Sequence, residues 1–310
     1  MYKPLVSIII PVYKGDPYMR DAIDSALNQT YENIEVIVVN DGSPDDGATE
    51  RIALSYGDKI RYFRKENGGV STALNYGIKM MRGEWFSWLS HDDIYTPEKI
   101  EKQIKAVEEM ENKACVVRCG TGLMDKNKKP IKQDKKELSG LISAKQMMRL
   151  FNLKRVTLYG CALLIHKEII DKCGFFDEEM RFVQDADYWS RIMFNGYNFV
   201  SIADQLVSVR IHDQQMTKKI SDKFEPELQI FVRKMIGYYN IDKTANRRLI
   251  MDYSCKQVRE GRTKIVKILK EELKPTFSES LRLFGYEIYG FFYRIVKTIY
   301  KKFFTKKYRS

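Results

Sequence analysis

Short apolar runs alternate with helical patterns over the first 120 residues of the chain. Strands are predicted where β-branched and other apolar residues run together, at residues 5–10, 34–39, 60–63 and 84–89. Apolar residues at helical spacing separate these runs, and one helix opens at Thr96-Pro97-Glu98. Continuous apolar strands that alternate with helices predict a mainly parallel sheet with flanking helices, a Rossmann-like α/β fold.

The pattern changes after residue 120. A Lys-rich loop is predicted over residues 125–140, followed by helices at 143–151 and 167–173, a strand at 159–165, a helix from Gln184 and a strand at 207–211. From about residue 221 onward the spacing of apolar residues predicts only helix. We therefore divide the chain into an α/β domain over residues 1–215 and a C-terminal helical extension over residues 216–310.

The last predicted helix, residues 279–304, is amphipathic. A helical wheel places its apolar side chains on one face, namely Leu281, Phe284, Ile288, Phe291, Phe292, Ile295, Val296, Ile299 and Phe303. The stretch without charge at residues 288–293 is too short to span a bilayer. A basic amphipathic helix rich in aromatic residues predicts binding to a membrane surface. Packing of the stripe on the domain itself, or on a second copy of the chain, remains the alternative.

The charge of the chain is concentrated in this extension. The formal net charge is +12, and residues 243–310 hold 18 Lys and Arg but 6 Asp and Glu, whereas residues 1–242 hold 35 of each sign. A basic tail next to an amphipathic helix favours an anionic lipid surface. The positive charge is not interleaved with a motif that reads bases, so we expect no nucleic-acid partner.

The cysteines and the first residues bear on the compartment. Five cysteines, an odd number, show no Cys-x-x-Cys spacing, which favours a reducing compartment over a disulfide framework or a zinc site. The apolar run at residues 6–10 is too short for the core of a signal peptide and is typical of a strand. We expect a cytoplasmic protein.

Polar residues follow the predicted strands at one edge of the sheet. Ligands of open parallel sheets bind beyond the carboxyl ends of the strands, where Pro11-Val12-Tyr13, Asp41 and Asp92-Asp93 would lie. The chain has neither the Gly-x-Gly-x-x-Gly turn of dinucleotide enzymes nor the phosphate loop of P-loop NTPases. Adjacent carboxylates could instead hold phosphates through Mg²⁺ or Mn²⁺, which favour carboxylate oxygen.

Seven segments in one order carry a family resemblance, at residues 6–13, 38–43, 67–75, 88–93, 174–177, 184–187 and 210–212. On these segments the chain resembles the inverting, nucleotide-sugar-dependent glycosyltransferases of family 2, of the bacterial surface-polysaccharide type, over roughly residues 4–215. The resemblance implies the GT-A fold and a donor that is a nucleotide diphosphate sugar, with UDP favoured. Together with the basic amphipathic tail, it also implies a lipid-linked saccharide as acceptor and a peripheral position at the inner face of the cell membrane.

The resemblance further implies roles in donor binding. It assigns nucleotide-sugar contacts to Pro11, Val12, Tyr13, Asp41, Asn67 and Asp92. Asp41 would accept from the imide N–H of uracil, although an Asp before Gly is also an ordinary turn residue. Asp93 and His212 would bind the divalent metal, Mn²⁺ or Mg²⁺. The acidic pair could alternatively stabilise only the start of the next helix.

Asp185 is implied to be the catalytic base, because inverting transfer needs one carboxylate to take the proton of the attacking hydroxyl. The family usually has Glu-Asp where this chain has Gln184-Asp185, and usually an acid at Ser90. Capping of a helix is the alternative role of Asp185. Weaker assignments give Arg210 to the phosphates and Gly160 and Trp189 to the acceptor, with core packing as the alternative for Trp189. A non-catalytic nucleotide-sugar-binding scaffold and a nucleotidyltransferase remain as other functions.

Overall fold

The structure is a computed structural model that describes residues 2–132, 137–213, 224–240 and 247–304. The chain splits into two compact units, one made of Met1–Met147 and Thr157–Ser221 and the other of Met148–Val156 and Asp222–Ser310. The predicted domain boundary at residue 215 lies outside the described residues.

The first unit is built on one sheet of ten strands. The strands are β1 (Val6–Val12), β2 (Ile34–Asp41), β3 (Arg61–Lys65), β4 (Trp85–Trp88), β5 (Ile94–Tyr95), β6 (Val116–Asp125), β7 (Pro130–Ile131), β8 (Gly140–Ile142), β9 (Leu163–His166) and β10 (Phe199–Ile211). Their order is β3-β2-β1-β4-β9-β6-β10-β5, with β7 paired to β6 and β8 to β10.

Strand direction places the candidate residues at one edge. The pairs β1–β2, β1–β4, β2–β3 and β6–β10 are parallel, and β9 runs antiparallel to both β4 and β6. The carboxyl ends of β1, β2, β4, β6 and β10 therefore meet at the same edge of the sheet. All seven residues of β1 are buried, as expected for a strand covered on both faces. The predicted mainly parallel sheet with flanking helices is confirmed.

Helices of the first unit follow the strands. They are α1 (Met19–Leu27), α2 (Ala48–Leu54), α3 (Val70–Met80), α4 (Lys99–Lys105), α6 (Lys167–Cys173) and α7 (Gln184–Phe194), while α5 (Ala144–Asn152) runs from the first unit into the second. Two of them begin at candidate residues. Helix α3 follows Asn67-Gly68-Gly69, and Gln184-Asp185 are the first two residues of α7.

The sequence pattern missed β6 and the first half of β10. Residues 125–132 are the end of β6, a turn and β7, rather than part of an open loop. Two residues interrupt the apolar pattern of β6. They are Gly120 and the buried Arg118, which pairs with Glu137 at 2.5 Å. A Cβ on Gly120 would lie 2.9 Å from the carbonyl oxygen of Ala203, where the register of β10 shifts. Close approach of two backbones requires glycine there.

The second unit is helical, as predicted. It contains α8 (Phe224–Asn240), α9 (Arg247–Glu260), α10 (Thr263–Leu273) and α11 (Phe277–Phe304). A small core joins Met251, Cys255 and Val258 of α9 to Leu283 of α11. None of the helices in the described residues is long and apolar enough to cross a membrane.

Two opposite faces of helix α11 have different surroundings. One face packs on α9 through Leu283 and through Arg294, whose Nη1 donates to the carbonyl oxygens of Val258 and Arg259 at 3.3 and 3.0 Å. The opposite face is exposed and carries Leu281, Phe284, Ile288, Phe291, Phe292 and Ile295, with exposed fractions from 41% to 62%. We call these six residues the exposed stripe. The predicted stripe members Val296, Ile299 and Phe303 lie beyond the side chains that the structure describes.

Candidate functional site

Asp41, the last residue of β2, organises the turn before α3. Its Oδ1 accepts hydrogen bonds from Nζ of Lys65 at 2.8 Å and from the N–H of Gly68 at 3.0 Å. Its Oδ2 accepts from the N–H of Gly69 at 2.8 Å and from Nδ2 of Asn67 at 3.1 Å. A carboxylate has about four acceptor sites, so a further donor such as a uracil imide would have to replace one of these four. The predicted residues Asp41 and Asn67 are thus brought together in one preformed turn.

The acidic pair follows β4 at the same edge. Asp93 is 5% exposed, whereas Asp92 is partly exposed. Burial, and after it the charge of Asp92, raises the pKa of Asp93 to about 8. Desolvation penalises the charged form of a buried carboxyl group, and a neighbouring carboxylate adds repulsion. A cation bound against the pair would remove both penalties.

Arg210, near the end of β10, fastens that strand to the acidic pair. Its main-chain N–H donates to Oδ1 of Asp93 at 3.0 Å, and its Nε donates to the carbonyl oxygen of Asp92 at 2.8 Å. Its Nη2 also donates to Oδ2 of Asp21 in α1 at 2.8 Å, and its guanidinium lies over the ring of Tyr18. The side chain is 1% exposed. This geometry gives Arg210 an orienting role at the site.

His212 lies beside the other acid. Its Nε2 is 2.9 Å from Oδ2 of Asp92, and its ring packs against Tyr18 with centroids 4.8 Å apart. The predicted residues Asp92, Asp93, Arg210 and His212 therefore form one cluster, although the first two follow β4 and the last two lie at the end of β10 and just beyond it.

The donor set of this cluster fits a divalent cation that also binds the substrate. Within the described ranges, no group of three or more His, Cys, Asp or Glu side chains is arranged to hold a metal ion. Mg²⁺ at phosphate-transfer sites is usually held by one or two carboxylates together with phosphate oxygens of the substrate, rather than by a complete protein cage. The buried Asp93 carboxyl beside Asp92 would supply the protein part of such a site.

The end of β1 forms the next wall of this edge. Pro11 and Val12 are buried, whereas the ring of Tyr13 is exposed. The following turn contacts the turn after β2, because the N–H of Lys14 donates to Oγ of Ser43 at 2.9 Å. Of the three residues predicted here, Tyr13 is the one whose side chain is available to a ligand.

Asp185 lies in the first turn of α7 and is partly exposed. Its Oδ1 accepts from the N–H of Ala186 at 2.7 Å. Aromatic contacts link its helix to the strand that precedes the acidic pair: Tyr188 stacks on Phe176 at 4.2 Å, and Phe176 meets Trp88, the last residue of β4, edge-on at 5.9 Å.

Two weaker assignments have packing explanations. Trp189 is buried and contacts Phe176, so the core alternative describes its place in the structure. A Cβ on Gly160 would lie 2.2 Å from the ring of Trp88, so this glycine leaves room for that ring.

Sequence reasoning missed Tyr18, Asp21 and Lys65. Tyr18 contacts both Arg210 and His212, Asp21 accepts from Arg210, and Lys65 neutralises Asp41. Only Lys65 had a signal in the sequence, because it lies two residues beyond the predicted strand at residues 60–63, and parallel strands end together. Tyr18 and Asp21 lie on an ordinary amphipathic helix.

Comparisons with known proteins show the family of this chain. Residues 7–174 match the family described as glycosyl transferase family 2. A Rickettsia felis protein described as an uncharacterized glycosyltransferase is 50% identical over 226 residues, which cover 73% of this chain and 37% of that protein. The minor teichoic acid biosynthesis protein GgaB of Bacillus subtilis is 38% identical over 115 residues, 36% of this chain and 13% of GgaB. The chain thus spans little more than a third of the length of the Rickettsia felis relative.

A solved structure shows the same fold. Residues 1–349 of Staphylococcus aureus TarS, in complex with UDP-GlcNAc, match with a TM-score of 0.65 and 16% identity, covering 91% of this chain and 79% of that one. The fold is therefore of the GT-A type. Because the family match covers more than half of its length, the chain belongs to glycosyl transferase family 2.

Proposed function

We propose that this family 2 glycosyltransferase chain transfers a sugar, with inversion, from a nucleotide diphosphate sugar to a hydroxyl group, and that UDP is the nucleotide. The observation that carries the proposal is the buried Asp93 carboxyl beside Asp92, at the sheet edge where the Asp41 turn also ends. Such a pair suits a cation that binds a diphosphate. A scaffold that only binds nucleotide sugars would not need Asp185 in addition to Asp92 and Asp93.

Asp93 and His212 would hold the cation, Mn²⁺ or Mg²⁺, together with the diphosphate of the donor, and Asp92 would contact the nucleotide sugar beside it. When bound, the cation would offset the negative charge that develops on the departing diphosphate. Arg210 orients both acids through its N–H and its Nε. The turn of Asn67, Gly68 and Gly69 and the exposed ring of Tyr13 supply the nucleoside contacts.

Asp185 is the proposed base. The acceptor oxygen attacks the anomeric carbon from the side opposite the diphosphate, so the new C–O bond forms as the bond to the diphosphate oxygen breaks. Asp185 takes the proton of the attacking hydroxyl, and the configuration at the anomeric carbon inverts.

We further propose a lipid-linked saccharide as acceptor, in the assembly of a surface polysaccharide. The name of GgaB refers to teichoic acid, a cell-surface polymer. The exposed stripe of α11 supports this acceptor, because an exposed apolar helix face next to basic residues is typical of interfacial helices. An enzyme held at the inner face of the membrane meets a membrane-bound acceptor at high local concentration.

The deciding experiment is a panel of nucleotide sugars, beginning with UDP-GlcNAc, in which UDP release without acceptor is measured with Mn²⁺ or Mg²⁺. We expect slow, metal-dependent hydrolysis of at least one UDP-sugar. Asp204→Asn serves as a control, because Asp204 is an exposed acid whose carboxylate pairs with Lys102. Binding of UDP without any turnover would favour a scaffold. Release of pyrophosphate from a nucleoside triphosphate and a sugar phosphate would favour a nucleotidyltransferase.

A further inference from the structure

A loop between α6 and α7 is held by side-chain hydrogen bonds from two helices. The loop, residues 174–183, connects Cys173 to Gln184 and leads directly into the turn that carries Asp185. Asn75 of α3 and Arg191 of α7 form these hydrogen bonds. Neither side chain has a part in the donor site described above.

Asn75 binds the backbone of the loop as a neighbouring strand would. Its Oδ1 accepts from the N–H of Phe176 at 2.9 Å, and its Nδ2 donates to the carbonyl oxygen of the same residue at 2.9 Å. The amide also donates to Oε1 of Glu178 at 2.8 Å. The side chain is buried, so these bonds have little competition from water. Ser71, one turn earlier on α3, adds a bond to the carbonyl oxygen of Met180 at 3.2 Å.

Arg191 holds the loop from within α7. Its Nη1 donates to the carbonyl oxygen of Cys173 at 2.7 Å and its Nη2 to that of Phe175 at 2.8 Å. Its Nε pairs with Oδ2 of the buried Asp187 at 2.9 Å, one turn back on the same helix. Because both carbonyl groups and Asp187 fix the planar guanidinium, the first turns of α7 cannot rotate freely against the loop.

We infer that Asn75 and Arg191 are positioning residues that set the place of the Asp185 carboxylate, which rests on the proposed role of Asp185 as base. Helix α3 begins after the Gly68-Gly69 turn, whose N–H groups bond Asp41. Five residues after the start of this helix, the side chain of Asn75 hydrogen-bonds the backbone of Phe176. The ring of Phe176 stacks on Tyr188, three residues beyond Asp185. A continuous set of contacts thus ties the nucleotide turn to the helix of the base. Misplacement of a reacting group by about 1 Å can cost on the order of 10²-fold in rate.

The test is a double-mutant cycle between Asn75→Asp and Asp185→Asn. Aspartate at position 75 keeps the acceptor for the N–H of Phe176 but cannot donate to its carbonyl oxygen or to Glu178. We expect UDP release from UDP-GlcNAc, or from the UDP-sugar that the unmodified chain hydrolyses fastest, to fall by about 10- to 100-fold. The dissociation constant of UDP should stay nearly unchanged. In the Asp185→Asn background, Asn75→Asp should change the residual rate by less than about 2-fold, since coupled sites are not additive.

Two controls keep the outcomes apart. Asn33→Asp makes the same chemical change at an exposed residue that bonds the carbonyl oxygen of Lys3, and it should leave rate and melting temperature unchanged. Should Asn75→Asp fail to fold, Arg191→Lys, which keeps the charge beside Asp187 but loses the forked contact, is placed in the same cycle. Equal rate losses in both backgrounds, or a loss of UDP affinity, would overturn the inference. Undiminished turnover of Asp185→Asn alone would instead remove Asp185 as base.

Discussion

The main-chain N–H of Arg210 donates a hydrogen bond to Oδ1 of Asp93 at 3.0 Å across 117 residues of sequence. This bond joins the end of β10 to the loop after β4 and aims one oxygen of a buried carboxyl group at the backbone. The same carboxyl group also bonds the side chain of Cys161. The relationship explains how a chain can keep two adjacent acids at a buried strand end.

Removal of divalent metal should abolish turnover of the donor. We expect UDP release to stop in excess EDTA and to return with Mn²⁺ or Mg²⁺, because the departing diphosphate needs an opposing charge. Asp93→Ala should reduce the rate by about 10²-fold or more, the effect of losing several kcal/mol of charge stabilisation. Circular dichroism should show an intact fold. Full activity in EDTA would contradict the metal role.

Asp185→Asn should lower turnover by about 10²-fold or more, within the range for removal of a general base. Asparagine keeps the size of the side chain and its ability to cap the helix, so the melting temperature should change little. Titration calorimetry with UDP should give an unchanged dissociation constant. Weaker UDP binding with surviving turnover would make Asp185 a structural residue.

The exposed stripe should bind anionic membranes. The double substitution Phe284→Ser and Phe291→Ser should weaken binding to phosphatidylglycerol vesicles, measured by sedimentation, by about 10²- to 10⁴-fold, since each buried aromatic ring contributes about 1.5–3 kcal/mol. Its melting temperature should stay close to that of the unmodified chain, because both rings are exposed. Binding should also weaken with salt, since each basic residue near the surface adds about 1 kcal/mol of attraction.

Leu54→Ser is the matched control for this prediction, because Leu54 is equally exposed but lies in the first unit. A shortened chain that ends near residue 279 is a less direct test, since it would also remove Leu283 from the core with α9. If the double variant changes a dimer into a monomer and leaves vesicle binding intact, the stripe is a subunit interface.

Lys99 should make stability rise with pH in the alkaline range. Its ammonium group is fully buried, donates to Oγ of Ser87 at 2.9 Å, and has its pKa lowered to about 8 by burial. The unfolded chain keeps this proton up to about pH 10.4, so the folded state binds fewer protons between these values and gains stability as pH increases. Relative to Lys99→Met, the unmodified chain should gain about 2 kcal/mol between pH 7 and pH 9.5.

Thermal melts of both proteins across this range measure the difference, and comparison with the variant cancels the titration of tyrosines and cysteines. Lys99→Met should be the more stable protein at pH 7, because a charged lysine in the core is costly. A difference that stays constant with pH would show that Lys99 keeps its proton in the folded state.

Local pattern was enough to predict most of the parallel sheet and the helical extension. The buried runs of β1, β2 and β4 and the amphipathic spacing of α11 are properties of neighbouring residues, and periodicity reads them directly. The acidic pair and Asp41 stood out for the same reason, since each follows a strand. Strand β6 was not predicted because Arg118 and Gly120 interrupt its apolar run. The structural features that accommodate these two residues, Glu137 and a bulge in β10, lie elsewhere in the chain.

The sequence by itself thus determined the fold class, the sheet edge at which we propose that the donor binds and the acids at that edge, because strand direction and side-chain chemistry follow from short segments. Only the tertiary structure decided which of these groups touch: Arg210 with Asp93, Asn75 with Phe176, and Leu283 with the core of α9. These contacts join residues about 25 to 117 positions apart, and their partners are selected by packing and by the need of buried polar groups for hydrogen bonds. Packing and hydrogen bonding of buried polar groups produce no periodic pattern in the sequence. The three-dimensional structure was therefore needed to distinguish the exposed stripe of α11 from its packed face.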